Sequence, residues 1–271
     1  MVSLTGPMSA IFQRTSLATS GSMGWVSGGD GGKLAASPDG IIWTQQTSPF
    51  EPLFPIQGVA YNGTDLWVAV SDSGEIATSP DGVTWTLQTS PFFPDSIFSV
   101  AHNGTDLWVA AGTIGNLATS PDGVTWTLQT SSFDPTDIIY SVAHNGTDLW
   151  VSAGDSAKLA TSPNGVTWTQ QTSSFDPGEN INGVAHNGTG LWVAGGDSGK
   201  LATSPDGVTW TQQTSSFDPT DIISKVAHNG TDLWVAVGNN GKLATSPDGV
   251  TWTQQTSSFD PIDIISAVAH T

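Results

Sequence analysis

Six copies of one short motif constrain this chain more than any other feature. Ser-Pro-Asp-Gly, or Ser-Pro-Asn-Gly in one copy, recurs every 41 or 42 residues along the 271-residue chain. The motif begins at Ser37, Ser79, Ser120, Ser162, Ser204 and Ser246. Periods of this size are typical of proteins that stack one supersecondary unit many times. The 12 tryptophans follow the same period, two in each unit.

Each unit is predicted to form four short strands. In the unit that begins at Asp137, segments 138–144, 149–153, 158–161 and 166–172 are rich in Val, Ile, Thr and Trp. The breaks between them contain Asn-Gly-Thr-Asp, Gly-Asp-Ser-Ala and Pro-Asn-Gly, which favour tight turns. No window shows apolar residues at helical spacing, so we expect almost no helix.

A four-stranded sheet of this kind has two apolar faces and cannot bury both alone, whereas six such sheets in a ring can. The sequence therefore predicts an all-β protein, a six-bladed β-propeller of four-stranded antiparallel blades. We expect a single domain over residues 1–271, with residues 1–14 peripheral. An open β-solenoid also stacks repeats, but its coils are usually shorter and lack hairpin turns such as Asn-Gly.

Two copies of the innermost-strand sequence, one near each end of the chain, are candidates for the innermost strand of the first blade. Most innermost copies end in Val-Ala-His and carry isoleucine three residues before the valine. The N-terminal copy, Leu17-Ala18-Thr19-Ser20, has Arg14 three residues before its Leu17, where burial of an unpaired charge is costly. The C-terminal copy keeps Ile265 and ends at His270. We therefore expect the C-terminal strand, at residues 263–270, to close the ring and remove a free sheet edge.

Charge and composition exclude several functions. The chain has 24 acidic and 6 basic residues and a net charge of −18, so it is expected to repel nucleic acid and anionic membranes. Without cysteine it has no disulfides and no thiolate metal site. No apolar segment is long enough for membrane insertion, and no signal peptide is visible. We expect a soluble protein, and an extracellular or virion-associated location is compatible with the sequence.

The run Ser-Pro-Asp-Gly-Val-Thr-Trp resembles the Asp-box, or BNR repeat, Ser-x-Asp-x-Gly-x-Thr-Trp, of sialidases, sortilin-like receptors and photosystem-assembly propellers. Here the residue between Asp and Gly is missing in every copy. The resemblance implies a structural hairpin between the third and fourth strands of a blade, away from the active face. The residues agree, because Asp accepts local backbone N–H groups and Gly adopts positive φ. This structural role is expected for Asp39, Asp81, Asp122, Asn164, Asp206 and Asp248.

Sialidase activity is not implied by the resemblance. Sialidases hold the substrate carboxylate with three arginines and use a tyrosine paired with a glutamate, whereas this chain has the single arginine Arg14. Acidic pairs such as Asp134 and Asp137 recur in several units, whereas a catalytic pair is normally needed once. We therefore predict that the protein is not an enzyme and uses no cofactor.

Histidine recurs at the same strand end in five copies, with Tyr61 in the sixth. Histidines at equivalent positions around a ring could in principle bind a metal ion. Six symmetric positions lie too far apart for one zinc ion, because Zn–N bonds are about 2 Å long. We expect instead that each histidine caps an Asn-Gly turn and that there is no metal site. The histidines are His102, His144, His186, His228 and His270.

The copies differ mainly in the turn between the second and third strands and in the link between blades, which are expected to share one face. Phenylalanine and carboxylates there suit a neutral sugar, because an aromatic ring stacks on C–H groups and carboxylates accept hydroxyls. The alternative for each loop phenylalanine is a plug over the blade junction. The candidate carbohydrate-binding residues are Asp72, Phe133, Asp134, Asp155, Phe175, Asp176, Asp197, Phe217, Asp218 and Asn239.

These residues predict a non-enzymatic, multivalent, lectin-like propeller that binds neutral glycans, as an adhesive module of a surface or virion protein. Weak sites repeated around a ring would gain by avidity. The alternative is a structural or protein-interaction scaffold without a small-molecule ligand. A degenerate relative of the assembly-factor propellers is a third hypothesis.

Overall fold

The protein is a six-bladed β-propeller in a computed structural model that describes residues 10–13, 24–260 and 262–265. Six four-stranded antiparallel sheets form the ring, and their innermost strands contact one another in sequence order. In the described residues the only helical elements are two short 3-10 turns, Asp30–Gly32 and Asp197–Gly199. No helix among these residues is long and apolar enough to cross a membrane. The predicted fold class is thus confirmed.

Each blade runs from its innermost to its outermost strand in chain order. Blades 1 to 3 comprise β1 (Ala10–Gln13), β2 (Trp25–Gly29), β3 (Lys33–Ser37), β4 (Thr44–Gln46), β5 (Ile56–Tyr61), β6 (Trp67–Ser71), β7 (Ile76–Ser79), β8 (Thr86–Gln88), β9 (Ile97–His102), β10 (Trp108–Gly112), β11 (Leu117–Ser120) and β12 (Thr127–Gln129). Blades 4 to 6 comprise β13 (Ile139–His144), β14 (Trp150–Gly154), β15 (Leu159–Ser162), β16 (Thr169–Gln171), β17 (Ile181–His186), β18 (Trp192–Gly196), β19 (Leu201–Ser204), β20 (Thr211–Gln213), β21 (Ile223–His228), β22 (Trp234–Gly238), β23 (Leu243–Ser246) and β24 (Thr253–Gln255).

The hydrophobic core lies between blades rather than within them. One cluster joins Val109 and Leu117 of blade 3 to Ile139 and Trp150 of blade 4, with Phe133 of the connecting link packed among them. Equivalent clusters lie between blades 1 and 2, blades 2 and 3, blades 4 and 5, and blades 5 and 6. The two predicted tryptophan anchors are buried in each of blades 2 to 6. Every blade therefore depends on its neighbours for the burial of its apolar surface.

The shortened motif forms the tight turn between the third and fourth strands. In blade 3, the Asp122 carboxylate accepts the backbone N–H groups of Val124 and Thr125 at 2.9 and 2.7 Å. These bonds, that from Thr125 foremost, lower the pKa of Asp122. Trp126 closes the turn by donating its indole N–H to the Gly123 carbonyl at 2.9 Å. In blade 4, Asn164 accepts the N–H groups of Val166 and Thr167 in the same way, so the turn does not require a charge.

The first blade differs from the sequence-based expectation. Its innermost strand is β1, in which Gln13 pairs with Trp25 and Ala10 with Gly28. The prediction that the C-terminal strand at residues 263–270 occupies this edge is therefore wrong. Aligning the repeats places Thr19 opposite Trp25, whereas in the structure Gln13 takes that place. Arg14 and residues 266–271 lie outside the described residues, and Ile265 donates its N–H to the Gly238 carbonyl of blade 6 at 2.9 Å.

Candidate functional site

Turns between second and third strands share one face of the ring with the links between blades, as predicted. We call this the link face. In blade 2 the N–H of Asp72 donates to the Pro55 carbonyl at 3.0 Å, and in blade 3 the N–H of Thr113 donates to the Ser96 carbonyl at 3.0 Å. These bonds tie each turn to the link that enters its own blade. The link face is therefore a continuous surface built from the segments that vary most between repeats.

In blades 4, 5 and 6, a lysine of the turn holds two carboxylates of the link. Lys158 contacts Asp134 and Asp137 at 2.6 and 2.5 Å. The equivalent lysines clamp the next two links in the same way: Lys200 to Asp176 and Glu179, and Lys242 to Asp218 and Asp221. Hydrogen bonds to these carboxylates, Asp134 first, raise the pKa of Lys158. Each clamp neutralises part of the acidic charge and fixes the link against its blade.

Blades 2 and 3 lack this clamp. The position of Lys158, immediately before the third strand, is Glu75 in blade 2 and Asn116 in blade 3. In the blade 2 link, Phe54 makes the turn bond that Asp137 makes in blade 4, donating its N–H to the carbonyl three residues earlier. The only described bond between this link and Glu75 runs from the Glu51 N–H to the Glu75 carboxylate at 3.2 Å. In blade 2 the lysine is thus replaced by Glu75 and the second carboxylate by Phe54, while Glu51 keeps the first carboxylate.

The unclamped links expose large apolar side chains. Leu53 is 84% exposed and Phe93 67% exposed, and Phe54 is exposed too. Ile114 of the blade 3 turn is also exposed. Backbone contacts connect the segments that carry these side chains: the blade 2 turn bonds to its own link through Asp72 and Pro55, and Gly74 of the same turn lies against the backbone of Phe93 in the next link. We call Leu53, Phe54, Phe93 and Ile114 the apolar patch. It is bordered by carboxylates of the same segments that form no ion pair among the described residues: Glu51, Asp72, Glu75 and Asp95.

Ile114 adopts a backbone conformation that a β-branched residue rarely takes. Its φ is 51°, whereas the other positive-φ residues at this position are Gly31, Ser156, Ser198 and Asn240, which tolerate positive φ better. Strain of this kind costs about 1–3 kcal/mol and tends to persist where function requires the side chain. The apolar patch therefore contains a residue that folding alone does not favour.

A second feature of the link face is the mouth of the central channel. In each described innermost strand from β5 onward, the pairing register skips the second residue, so a β-bulge turns that side chain toward the channel. A cavity of ≈ 220 Å³ opens among these side chains. It is lined by Gln57, Phe98, Tyr140, Asn182, Ile222, Ser224 and Lys225.

Lys225 reaches across this mouth. Its Nζ donates to the Tyr140 carbonyl at 3.2 Å and to the Asn182 carbonyl at 3.5 Å. Burial lowers the pKa of Lys225 to about 8. Burial, followed by a hydrogen bond to Asp155, raises the pKa of Tyr140. The channel mouth therefore combines a desolvated ammonium group with the Phe98 and Tyr140 rings, whose centroids are 5.6 Å apart.

The predicted carbohydrate-binding residues are brought to the link face, but most have protein partners. Phe133, Phe175 and Phe217 are buried in the interblade clusters, which matches the plug alternative and leaves no ring face for a sugar. Their neighbours Asp134, Asp176 and Asp218 belong to the lysine clamps. Asp155, Asp197 and Asn239 accept backbone N–H groups of the links, and Asp72 lies at the edge of the apolar patch. Glycan binding by this set stays a prediction.

The described histidines cap the Asn-Gly turns on the opposite face, as expected. His144 Nδ1 accepts the N–H of Gly146 at 3.0 Å, and its ring lies 4.6 Å from that of Trp150. Burial lowers the pKa of His102 and of His186 to about 4, which keeps these rings neutral. Among the described residues no group of histidines and carboxylates has a geometry that could hold a metal ion. His270 lies outside the described residues.

Sequence reasoning missed the apolar patch and Lys225. Both were signalled by breaks in the repeat: Glu75 where four units have lysine, and Lys225 where blades 2 to 5 have Gly58, Ser99, Ser141 or Gly183. The lysine clamps were missed as well, although Lys158, Lys200 and Lys242 recur at one position of the unit.

Solved structures with a similar backbone are propellers of low sequence identity. "YCF48 bound to D1 peptide" aligns with a TM-score of 0.69 and 17% identity over 93% of this chain and 83% of that chain. "Structure of U3-55K" aligns with a TM-score of 0.73 and 10% identity over 99% and 86%. "YCF48 from Cyanidioschyzon merolae" aligns with a TM-score of 0.61 and 15% identity over 92% and 86%.

Neither a family model nor a curated protein matches this chain. The resemblance to the Asp-box therefore stays a prediction from the motif. At 10–17% identity the structural likeness shows the fold alone, so the chain stands among the β-propellers by its architecture.

Proposed function

We propose that the protein is a non-enzymatic interaction scaffold that binds a partner protein through the apolar patch. The observation that carries this proposal is the asymmetry of the link face. Three links are fixed by lysine clamps, whereas two neighbouring links expose Leu53, Phe54 and Phe93. Large exposed apolar residues grouped within a polar rim are typical of protein-binding surfaces.

The carboxylates that border the apolar patch indicate the charge that the partner should carry. Glu51, Asp72, Glu75 and Asp95 lie in the same links and turns as the patch, on a protein whose net charge is −18. A segment that carries apolar anchors together with Lys or Arg complements both features, since opposite charges accelerate encounter and apolar anchors hold the complex. The strained Ile114 supports the same surface, because its side chain is retained at a cost to folding.

A structural neighbour supports the class of ligand. YCF48, a propeller of similar backbone, has been solved bound to D1 peptide. A polypeptide ligand also agrees with the burial of Phe133, Phe175 and Phe217, which leaves sugars without an aromatic platform at those links. The scaffold hypothesis is therefore better supported than the lectin hypothesis.

A peptide-display selection on the immobilised protein tests the proposal. We expect enriched peptides to combine aromatic or aliphatic residues with Lys or Arg. The double variant Leu53→Ser/Phe93→Ser should weaken the best peptide by at least about tenfold in fluorescence anisotropy.

The chain offers a matched control on the opposite face. Ile41 and Ile42 of the blade 1 motif turn are 82% and 67% exposed, against 84% and 67% for Leu53 and Phe93. The variant Ile41→Ser/Ile42→Ser should bind the peptide like the parent protein. Equal losses in both double variants, or a selection that enriches no basic-apolar sequence, would contradict the proposal.

A further inference from the structure

Lys225 breaks the repeat at a position otherwise held by small residues. Ser99 and Ser141 occupy that position in blades 3 and 4, and their hydroxyls accept the N–H groups of Val142 and Val184 in the next blade. An ammonium group cannot accept a hydrogen bond. Lys225 instead extends over the channel mouth to carbonyls of blades 4 and 5. It therefore replaces a bond between blades with a cation in the channel.

This cation has no anionic partner among the described residues, because every ion pair found there belongs to the three clamps. The nearby carboxylates are engaged elsewhere. Asp155 accepts the Ile138 N–H at 2.8 Å, and Asp197 accepts the Asn182 amide at 3.1 Å. An ammonium group has three donors, and two carbonyls use at most two of them. One N–H remains for a ligand, and an anion would offset the cost of burying the charge.

The other residues that line the cavity determine the size and polarity of the rest of the ligand. The Phe98 and Tyr140 rings and the Ile222 side chain supply apolar surface beside Lys225. The volume of ≈ 220 Å³ is below the range of about 300–1,000 Å³ typical of sites for drug-sized ligands. The cavity therefore suits one charged group on a compact carbon body and excludes a sugar chain or a folded peptide.

We propose that the channel mouth is a binding site for a small carboxylate. Lys225 Nζ donates to the carboxylate, and the carbon body of the ligand lies against the Phe98 and Tyr140 rings. This site is separate from the apolar patch and does not depend on the proposed binding of a protein partner.

Sodium benzoate is a suitable probe, because it combines a carboxylate with a flat apolar ring. Titration of the full chain, followed by NMR chemical shifts, should show saturable binding with one site. Benzyl alcohol keeps the ring without the charge, and inorganic phosphate keeps a negative charge without the ring. Each should bind at least about tenfold more weakly than benzoate.

The variant Lys225→Ser installs the residue that Ser141 provides at the equivalent position, so the fold is expected to accept it. It should lose benzoate affinity by at least about tenfold. Lys33→Met, at an exposed lysine of blade 1, should bind benzoate like the parent protein, and so should Leu53→Ser/Phe93→Ser. Unchanged benzoate affinity in Lys225→Ser, or equal affinity for benzoate, benzyl alcohol and phosphate, would overturn the proposal.

Discussion

Replacing Lys225 with methionine should stabilise the fold. Burial lowers the pKa of this lysine from its ordinary 10.5 to about 8. At 1.36 kcal/mol per pH unit, keeping the charged form in the fold costs about 3 kcal/mol. Methionine has a similar length and no charge, but it leaves the Tyr140 and Asn182 carbonyls without a donor, at a cost of about 1 kcal/mol. The expected net gain for Lys225→Met at neutral pH is about 2 kcal/mol.

The pH dependence follows from the direction of the pKa shift. Between about pH 8 and pH 10.5 the unfolded chain still carries the Lys225 proton that the folded chain has released. The free energy of unfolding therefore rises with pH across this window. Below about pH 8 both states are protonated, and the full cost of the buried charge is present. The advantage of Lys225→Met should accordingly be largest near neutral pH and disappear toward pH 10.5.

Urea unfolding of the parent protein and Lys225→Met at several pH values measures this effect. Taking the difference between the two proteins cancels the titration of groups that they share. Lys33→Met serves as the control, since an exposed lysine should give a difference within about 0.5 kcal/mol at every pH. A Lys225→Met variant that is less stable than the parent at neutral pH, or whose advantage does not change with pH, would refute the reasoning.

Three further predictions concern single side chains. Ile114→Gly should raise the free energy of unfolding by about 1 kcal/mol, because glycine adopts positive φ without strain, and it should weaken peptide binding. Urea unfolding measures the first effect and fluorescence anisotropy the second. A variant less stable than the parent protein would contradict this prediction. His186 has a pKa lowered to about 4, so its contribution to stability is complete above pH 6.5 and is lost as the pH falls toward 4. The melting temperature should fall across that window, and less steeply in His186→Asn; identical slopes would refute this. Asp122→Ala should lower the free energy of unfolding by about 1 kcal/mol, whereas Asp122→Asn should leave it almost unchanged, because Asn164 accepts the same backbone N–H groups in blade 4. Equal melting temperatures for the two variants in thermal unfolding would contradict this prediction.

The architecture was predictable from the sequence because each repeat encodes the same local interactions. Strand segments 138–144 and 149–153 correspond to Ile139–His144 and Trp150–Gly154, since β-branched runs and Asn-Gly turns act locally. The motif turns and the histidine caps were predictable for the same reason. Each depends on side chains within a few residues of the backbone groups that they bind.

The first blade and the functional site were less predictable. β1, Ala-Ile-Phe-Gln, does not have the Val-Ala-His or Val-Ala-Tyr end of the other innermost strands, so aligning the copies placed it too late in the chain. Phe133 has the sequence context of a loop aromatic, but packing between two blades buries it. The apolar patch depends on segments of two adjacent blades that the packing of one blade on the next brings together. Periodicity describes what the units share, whereas the candidate sites lie where they differ.

Site-specific photocrosslinking tests the central claim most directly. A benzoylphenylalanine replacing Phe93 would lie within the apolar patch, and one replacing Ile41 would lie on the opposite face. With the best peptide from the selection, we expect crosslinks at position 93 and none at position 41. Crosslinking at position 41 alone, or equally at both positions, would contradict the assignment of the partner surface to blades 2 and 3.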